Sequence, residues 1–289
     1  MTDDYLRKSE TAESDPFDII NRHRALFLIE EYDLEAQLLA IRGLVNRNSE
    51  SDKALAEGIK ALGAEIRKHT DEYADYLQDS WIDHLHGSVF QDAAHSMSAA
   101  GMLAPFIESL FVTIFARLRA ERQPVDGASD DRAATLHDDF WNPHYVFEGG
   151  HRRRDIVKGI IQLSESIGLT VYLPESLPNT LSALFEYRNK MFHNGFEWPM
   201  VEREKFGNSI RQNQWPSEWF SQSTSGGKPW IFYMSPEFIQ HCLAAIDEVL
   251  NGVGEYLSRS DNATLDRKAQ LRDQEAQKQT YKTGDMPIV

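Results

Sequence analysis

Cys242 is the only cysteine in 289 residues. A lone thiol excludes an intramolecular disulfide framework and any zinc cage made of several thiolates of one chain, and makes a cytoplasmic setting the expectation. Basic residues are also few: 30 Lys and Arg stand against 45 Asp and Glu, a formal net charge of −15. A chain this acidic does not hold nucleic acid by bulk electrostatics, so any such site must be a local patch or a cleft within a dimer. No Gly-rich phosphate loop leads into a helix, and neither Gly-x-Ser-x-Gly nor His-Glu-x-x-His occurs. No internal repeat stands out. The opening Met1-Thr-Asp-Asp-Tyr5 is acidic and lacks the apolar core of a secretory leader. The most apolar run, Gly101 to Leu118, contains Pro105 and Glu108 and reads as a buried helix rather than a membrane span.

What is present is a hydrophobic share of 41% and an aromatic share of 11%, enough for one large domain or two small ones with a real core. The apolar spacing is helical almost throughout, which makes the expected class all-α: a helical bundle with a long N-terminal helical pair and a small appended β-hairpin. Residues 1–15 are polar and acidic and are expected to be disordered. An N-terminal helical region is assigned to residues 16–95. Within it, Ile20, Leu26, Ile29, Leu34, Leu38, Ile41 and Leu44 predict one helix over 18–45, and Ser51-Asp52 caps a second. This pair reads either as an antiparallel hairpin or as a dimerisation arm.

The bundle proper is assigned to 96–258, with an inserted loop over 123–150 and a hairpin over 215–234. Glu108 stands among Phe106, Ile107, Leu110 and Phe111, where a carboxylate is costly to bury unpaired. It either faces a polar partner such as Arg188 or lies on the helix's exposed edge. The inserted loop carries five Asp. Its His137, Asp138, Asp139 and His144 have metal-ligand chemistry, as do His84 and His86 near Asp83, but acidic-loop and helix-surface readings are simpler, and no metal or cofactor is assigned.

Directly after the loop, Arg152, Arg153, Arg154 and Lys158 form the densest basic patch of the chain. Cations at a helix start gain nothing from the dipole, so either phosphate contact or pairing with the acidic loop must favour them. Trp215 to Met234 reads as two short strands about a glycine turn, its aromatics either stacking bases or packing on the scaffold. Ser235-Pro236 begins the closing helix, and 259–289 is a polar tail or frayed helix.

The chemistry concentrates in Leu184-Phe-Glu-Tyr-Arg-Asn-Lys-Met-Phe-His-Asn-Gly-Phe-Glu-Trp-Pro199. Its helix carries Leu181, Leu184, Phe185 and Phe192 along an apolar stripe and ends at Asn194-Gly195. Arg188 is a permanent cation able to grip phosphate in bidentate fashion, and His193 can exchange a proton near neutral pH. A five-residue step turns the helix by roughly 140°, so the two do not stack; Asn189 and His193, four apart, share a face.

The run Arg-Asn-Lys-Met-Phe-His-Asn-Gly resembles the pattern of the HEPN superfamily, in which an Arg with a polar residue directly after it is separated from a His by four to six intervening positions. Here Asn189 to Phe192 make four. The resemblance implies a helical bundle, usually a homodimer, in which many members are metal-independent endoribonucleases of toxin–antitoxin, phage-defence or RNA-processing systems. It carries Arg188 and His193 over as catalytic, with Asn189 supporting.

Cleavage of RNA by its own 2′-hydroxyl needs a base, an acid and a cation at phosphorus. One chain offers one matching His, whereas two chains about a two-fold offer two His193 and two Arg188. With what the resemblance implies, the expected partners are RNA, a second copy, and an antitoxin or regulatory protein, with no membrane. The competing expectation is a non-catalytic helical dimer that binds RNA or a protein.

Overall fold

In a computed structural model, which describes residues 20–29, 33–121, 132 and 137–283, the chain is mostly helical with two small antiparallel hairpins. The expected disorder of residues 1–15 lies outside the described residues. In place of one helix over 18–45 there are two, α1 (Asn21–Leu28) and α2 (Leu34–Ile66). The second is launched by Asp33, whose carboxylate accepts from the Ala36 amide at 3.0 Å. Ser51-Asp52 does not start a helix; it lies inside α2, where both side chains accept from Gln91.

Helix α3 (Glu72–Glu121) folds back on α2. Gly63 sits beside Trp81 and Asp52 beside His95, the register of an antiparallel hairpin. Because α3 runs unbroken through residues 95 and 96, the expected boundary between an N-terminal region and a bundle falls within a single helix. Its C-terminal half is the axis of the core: Leu103, Phe106, Ile107, Leu110, Phe111, Ile114, Phe115 and Leu118 are all buried. Each such side chain contributes about 1.5–3 kcal/mol on removal from water. By length and composition α3 is apolar enough to cross a membrane, but 61% of its most apolar window is buried within the protein, as in a core helix.

The described part of the expected loop, residue 132 and residues 137–150, and the helix start expected after it are built differently; residues 123–131 and 133–136 lie outside the described residues. After a single turn, α4 (His137–Phe140), come β1 (Tyr145–Glu148) and β2 (His151–Arg154), paired Tyr145 to Arg154 through Glu148 to His151. Gly149 and Gly150 both take positive φ, 59° and 77°, the backbone that a tight two-residue hairpin needs. The three arginines therefore ride a strand. Helix α5 (Ile156–Ser166) begins only after them, capped by Asp155 accepting from the Lys158 amide at 3.1 Å.

Two side chains tie this segment down. Gln162 of α5 accepts from the Phe147 amide at 3.0 Å and donates to its carbonyl at 2.7 Å, acting as an extra strand edge. Arg132, fully buried, donates to the carbonyls of Phe140 and Tyr145, with its Nε 3.2 Å from Gln162 Oε1.

A 3₁₀ turn (Thr170–Tyr172) leads to α6 (Leu177–Asn194) and α7 (Met200–Gln212). The α6 stripe buries Leu181, Leu184 and Phe185 as expected, but Phe192 stands 52% exposed, only the tip of its ring reaching α3 at Gly101, where an added Cβ would lie 2.9 Å from Phe192 Cζ. The second hairpin, β3 (Phe220–Ser225) and β4 (Lys228–Met234), turns at Gly226-Gly227. Its Phe220 and Phe232 join Tyr187, Trp198 and Phe206 in one aromatic cluster, so these rings pack on the scaffold.

Ser235 Oγ accepts from the Phe238 amide at 3.1 Å to start α8 (Pro236–Thr283), whose backbone stays helical well past residue 259. Helix α1 lies against α8 at Gly254, where an added Cβ would come 1.7 Å from the Asn21 carbonyl oxygen.

Candidate functional site

The end of β2, the first turn of α5, the middle of α6 and Glu108 of α3 enclose a cleft of about 690 Å³. The capping of α5 by Asp155 fixes where its first turn begins, and with it Arg154 and Lys158 on one wall. Helix α6 is held by its buried stripe, which fixes Glu186, Arg188, Asn189 and Lys190 as cleft lining beside the stripe's own Phe185. Five of the residues singled out from sequence, Arg188, Asn189, Glu108, Arg154 and Lys158, thus share one space.

His193 does not. It lies beyond the cleft lining, exposed near the C-terminal end of α6, with no hydrogen bond or ion pair among the described residues. The guanidinium of Arg188 lies over the Phe192 ring at 5.6 Å, and its Nη1 donates to Asn189 Oδ1 at 3.0 Å. Asn189 therefore steadies the arginine rather than the imidazole. Glu108 sits at the cleft edge, and its neighbour is not Arg188: Oε1 lies 3.5 Å from His144 Nδ1. The residue just before β1 is placed there because Arg132 and Gln162 hold the flanking backbone, bringing together two groups 36 positions apart.

The basic patch divides by role. Arg152 is paired with Asp139 at 2.8 Å and lies over the Tyr145 ring at 4.5 Å. Arg153 reaches Glu148 and Asp155, each at 3.7 Å, and Lys158 reaches Glu148 at 3.4 Å. Of the two explanations for these cations, pairing with neighbouring acids accounts for three. Arg154 is exposed, lines the cleft and makes no ion pair among the described residues. Lys190 also lines the cleft but is bonded to Glu202, which it and Lys205 hold down at a pKa of about 2. The cleft is thus mixed in charge, with Arg188 and Arg154 as its least committed cations. Two arginines with free donors can hold a phosphate oxygen each, and a carboxylate beside an imidazole can move a proton.

Among the described residues no three His, Cys, Asp or Glu side chains cluster closely enough to hold a metal ion. His86 packs against the Trp230 ring at 4.9 Å. A second cavity of about 330 Å³, between α2, α3 and the start of α8, is lined in part by Asp52, Asp92 and His95. There burial, aided by the nearby Asp52, raises the Asp92 carboxyl to about 6.

His144 is the residue that sequence reasoning weighed only as a metal ligand. Nothing in the local pattern marks it, since its neighbour Glu108 comes from another helix. Compared with family models, with curated proteins and with solved structures, the chain finds no match.

Proposed function

We propose that the protein is a metal-independent endoribonuclease of HEPN type, cytoplasmic, acting as a toxin or phage-defence effector. One observation carries this reading: Arg188, with Asn189 against it, faces the same cleft as Arg154, Lys158 and the Glu108 carboxylate. Arg188 holds the scissile phosphate and steadies its charge as phosphorus becomes five-coordinate. Arg154 holds a neighbouring phosphate and sets the register of the strand. His193, free and exposed, reaches the reacting atoms from a second copy, so the working unit is a homodimer.

The test is RNA incubated with purified protein in excess chelator. Cleavage leaving 2′,3′-cyclic phosphate and 5′-hydroxyl ends, reduced in Arg188→Ala and His193→Ala, supports the reading. Intact RNA with wild type and variants alike removes it for that substrate.

The second reading is a non-catalytic helical dimer that binds RNA or a protein partner. It is favoured by the net charge of −15 and by the acid-paired state of Arg152, Arg153 and Lys158. Tight binding without cleavage by the wild type separates it from the first.

A further inference from the structure

The cleft that holds Arg188 already contains an imidazole, and it is not the one in the Arg-His pattern. We infer that His144 is the general base of this site, with Glu108 as its positioning residue; the assignment rests on the endoribonuclease reading above and goes beyond it by naming a second catalytic histidine.

Three observations converge on His144. Its backbone is pinned on both sides, the amide donating to Asn142 Oδ1 at 3.0 Å and the carbonyl accepting from the Asp155 amide at 3.0 Å. Its Nδ1 faces Glu108 Oε1 at 3.5 Å, which leaves Nε2 as the nitrogen for substrate. Its side chain is 30% exposed and lines the cleft with Arg188 and Arg154. A carboxylate behind the inner nitrogen selects the tautomer with the proton on Nδ1, which leaves the Nε2 lone pair to accept a proton. A separation of 3.5 Å is long for a hydrogen bond, and catalytic contacts of this kind tighten in the complex with substrate.

The step balances within the RNA. Nε2 of His144 takes the 2′-hydroxyl proton, the freed oxygen bonds to phosphorus, and the bond from phosphorus to the 5′-oxygen breaks. That oxygen takes a proton from His193 of a second copy, giving a 5′-hydroxyl and a 2′,3′-cyclic phosphate. Solvent then returns one histidine to its neutral form and the other to its protonated form. Each cleft in this scheme uses two different histidines, a base from its own chain and an acid from the neighbour, rather than two copies of His193.

The experiment compares wild type, His144→Ala and Glu108→Gln on one RNA in chelator, with thermal melts of each. His144→Ala should lose about 10²- to 10⁴-fold in kcat and recover part of it when free imidazole is added, which a merely structural histidine would not do. Glu108→Gln should lower kcat while KM holds. If wild type cleaves and His144→Ala cleaves equally well, or loses activity that imidazole does not restore while Glu108→Gln keeps full kcat, His144 is not the base and the endoribonuclease reading survives alone. If wild type leaves every RNA intact, the reading falls and takes this assignment with it.

Discussion

Arg188 and His193 share α6 but not an environment. The guanidinium lines the cleft, lies over Phe192 and bonds to Asn189, whereas the imidazole five residues on stands exposed beyond the cleft. The rise of the helix accounts for this: His193 lies on the face of Glu186 and Asn189 but about 6 Å beyond Asn189 along the axis, past the end of the cleft lining.

Arg188→Lys should therefore fall short of restoring what Arg188→Ala loses. An ammonium keeps the charge but not the two-pronged geometry or the ring stacking. Cleavage should drop by roughly 10²-fold or more in the alanine variant. Thermal melts should stay within about 0.5 kcal/mol of wild type, as for other surface changes. A loss of activity with matching loss of fold would contradict this division.

RNA binding should show a shallow salt dependence. With Arg188 and Arg154 as the uncommitted cations, two phosphate contacts imply a slope of about −1.4 in log K against log salt for a single strand. Arg154→Ala should halve that slope. Arg152→Ala should leave it unchanged, because Asp139 and the Tyr145 ring already occupy that guanidinium. Titrations at several salt concentrations read this directly, and equal effects of the two variants would show that ion pairing does not decide which cation binds.

Gly159→Ala should damage the cleft without touching its side chains. An added Cβ would lie 2.0 Å from the Pro143 carbonyl oxygen and 2.7 Å from that of Tyr145, so the segment carrying His144 must move. A loss of about 1–3 kcal/mol in a denaturant melt is expected. Gly58→Ala, where nothing lies within 4 Å, is the control and should not destabilise.

Arg132→Met should cost on the order of 2–4 kcal/mol, because the carbonyls of Phe140 and Tyr145 lose buried donors. Hydrogen exchange should quicken first across residues 140–147. Uniform quickening over the whole chain would mean that Arg132 supports more than this segment.

Asp92 makes stability depend on pH. Burial, then the neighbouring Asp52, raises its carboxyl from an ordinary 3.8 to about 6, while His95 pulls the other way. Lys53 lines the same cavity, as does Tyr233, whose hydroxyl is itself pushed up by burial and by Asp92. The folded state holds this proton more tightly than the unfolded chain does. Its contribution is therefore fully present below pH 3.8 and lost as pH rises through about 6. Asp92→Asn should melt higher than wild type at pH 7 and no higher at pH 4; the same difference at both would remove Asp92 as the source.

Helical content was readable from spacing alone because apolar periodicity is local: the α3 core stripe, the Gly195 stop of α6 with φ 71°, the Ser235 cap and the Gly226-Gly227 hairpin all follow from residues within a few positions of one another. The Gly149-Gly150 pair carried the same hairpin signal. It was obscured because one of its strands is four exposed basic residues with no apolar alternation to announce it. Arg188, Arg154, Lys158 and Glu108 could be marked as candidates from chemistry, yet not as neighbours.

That they meet in one cleft, that Glu108 answers to His144, that three basic residues are taken up by acids, and that His193 stands apart all depend on distances between segments distant in sequence. The physical reason is one of range. Propensity, caps and turns act over a few residues and are written in the local order of side chains, whereas a site is assembled by packing. Here that packing runs through a buried arginine and a glutamine that bond to each other and whose other partners are backbone carbonyls and an amide, groups that no pattern of side chains can advertise.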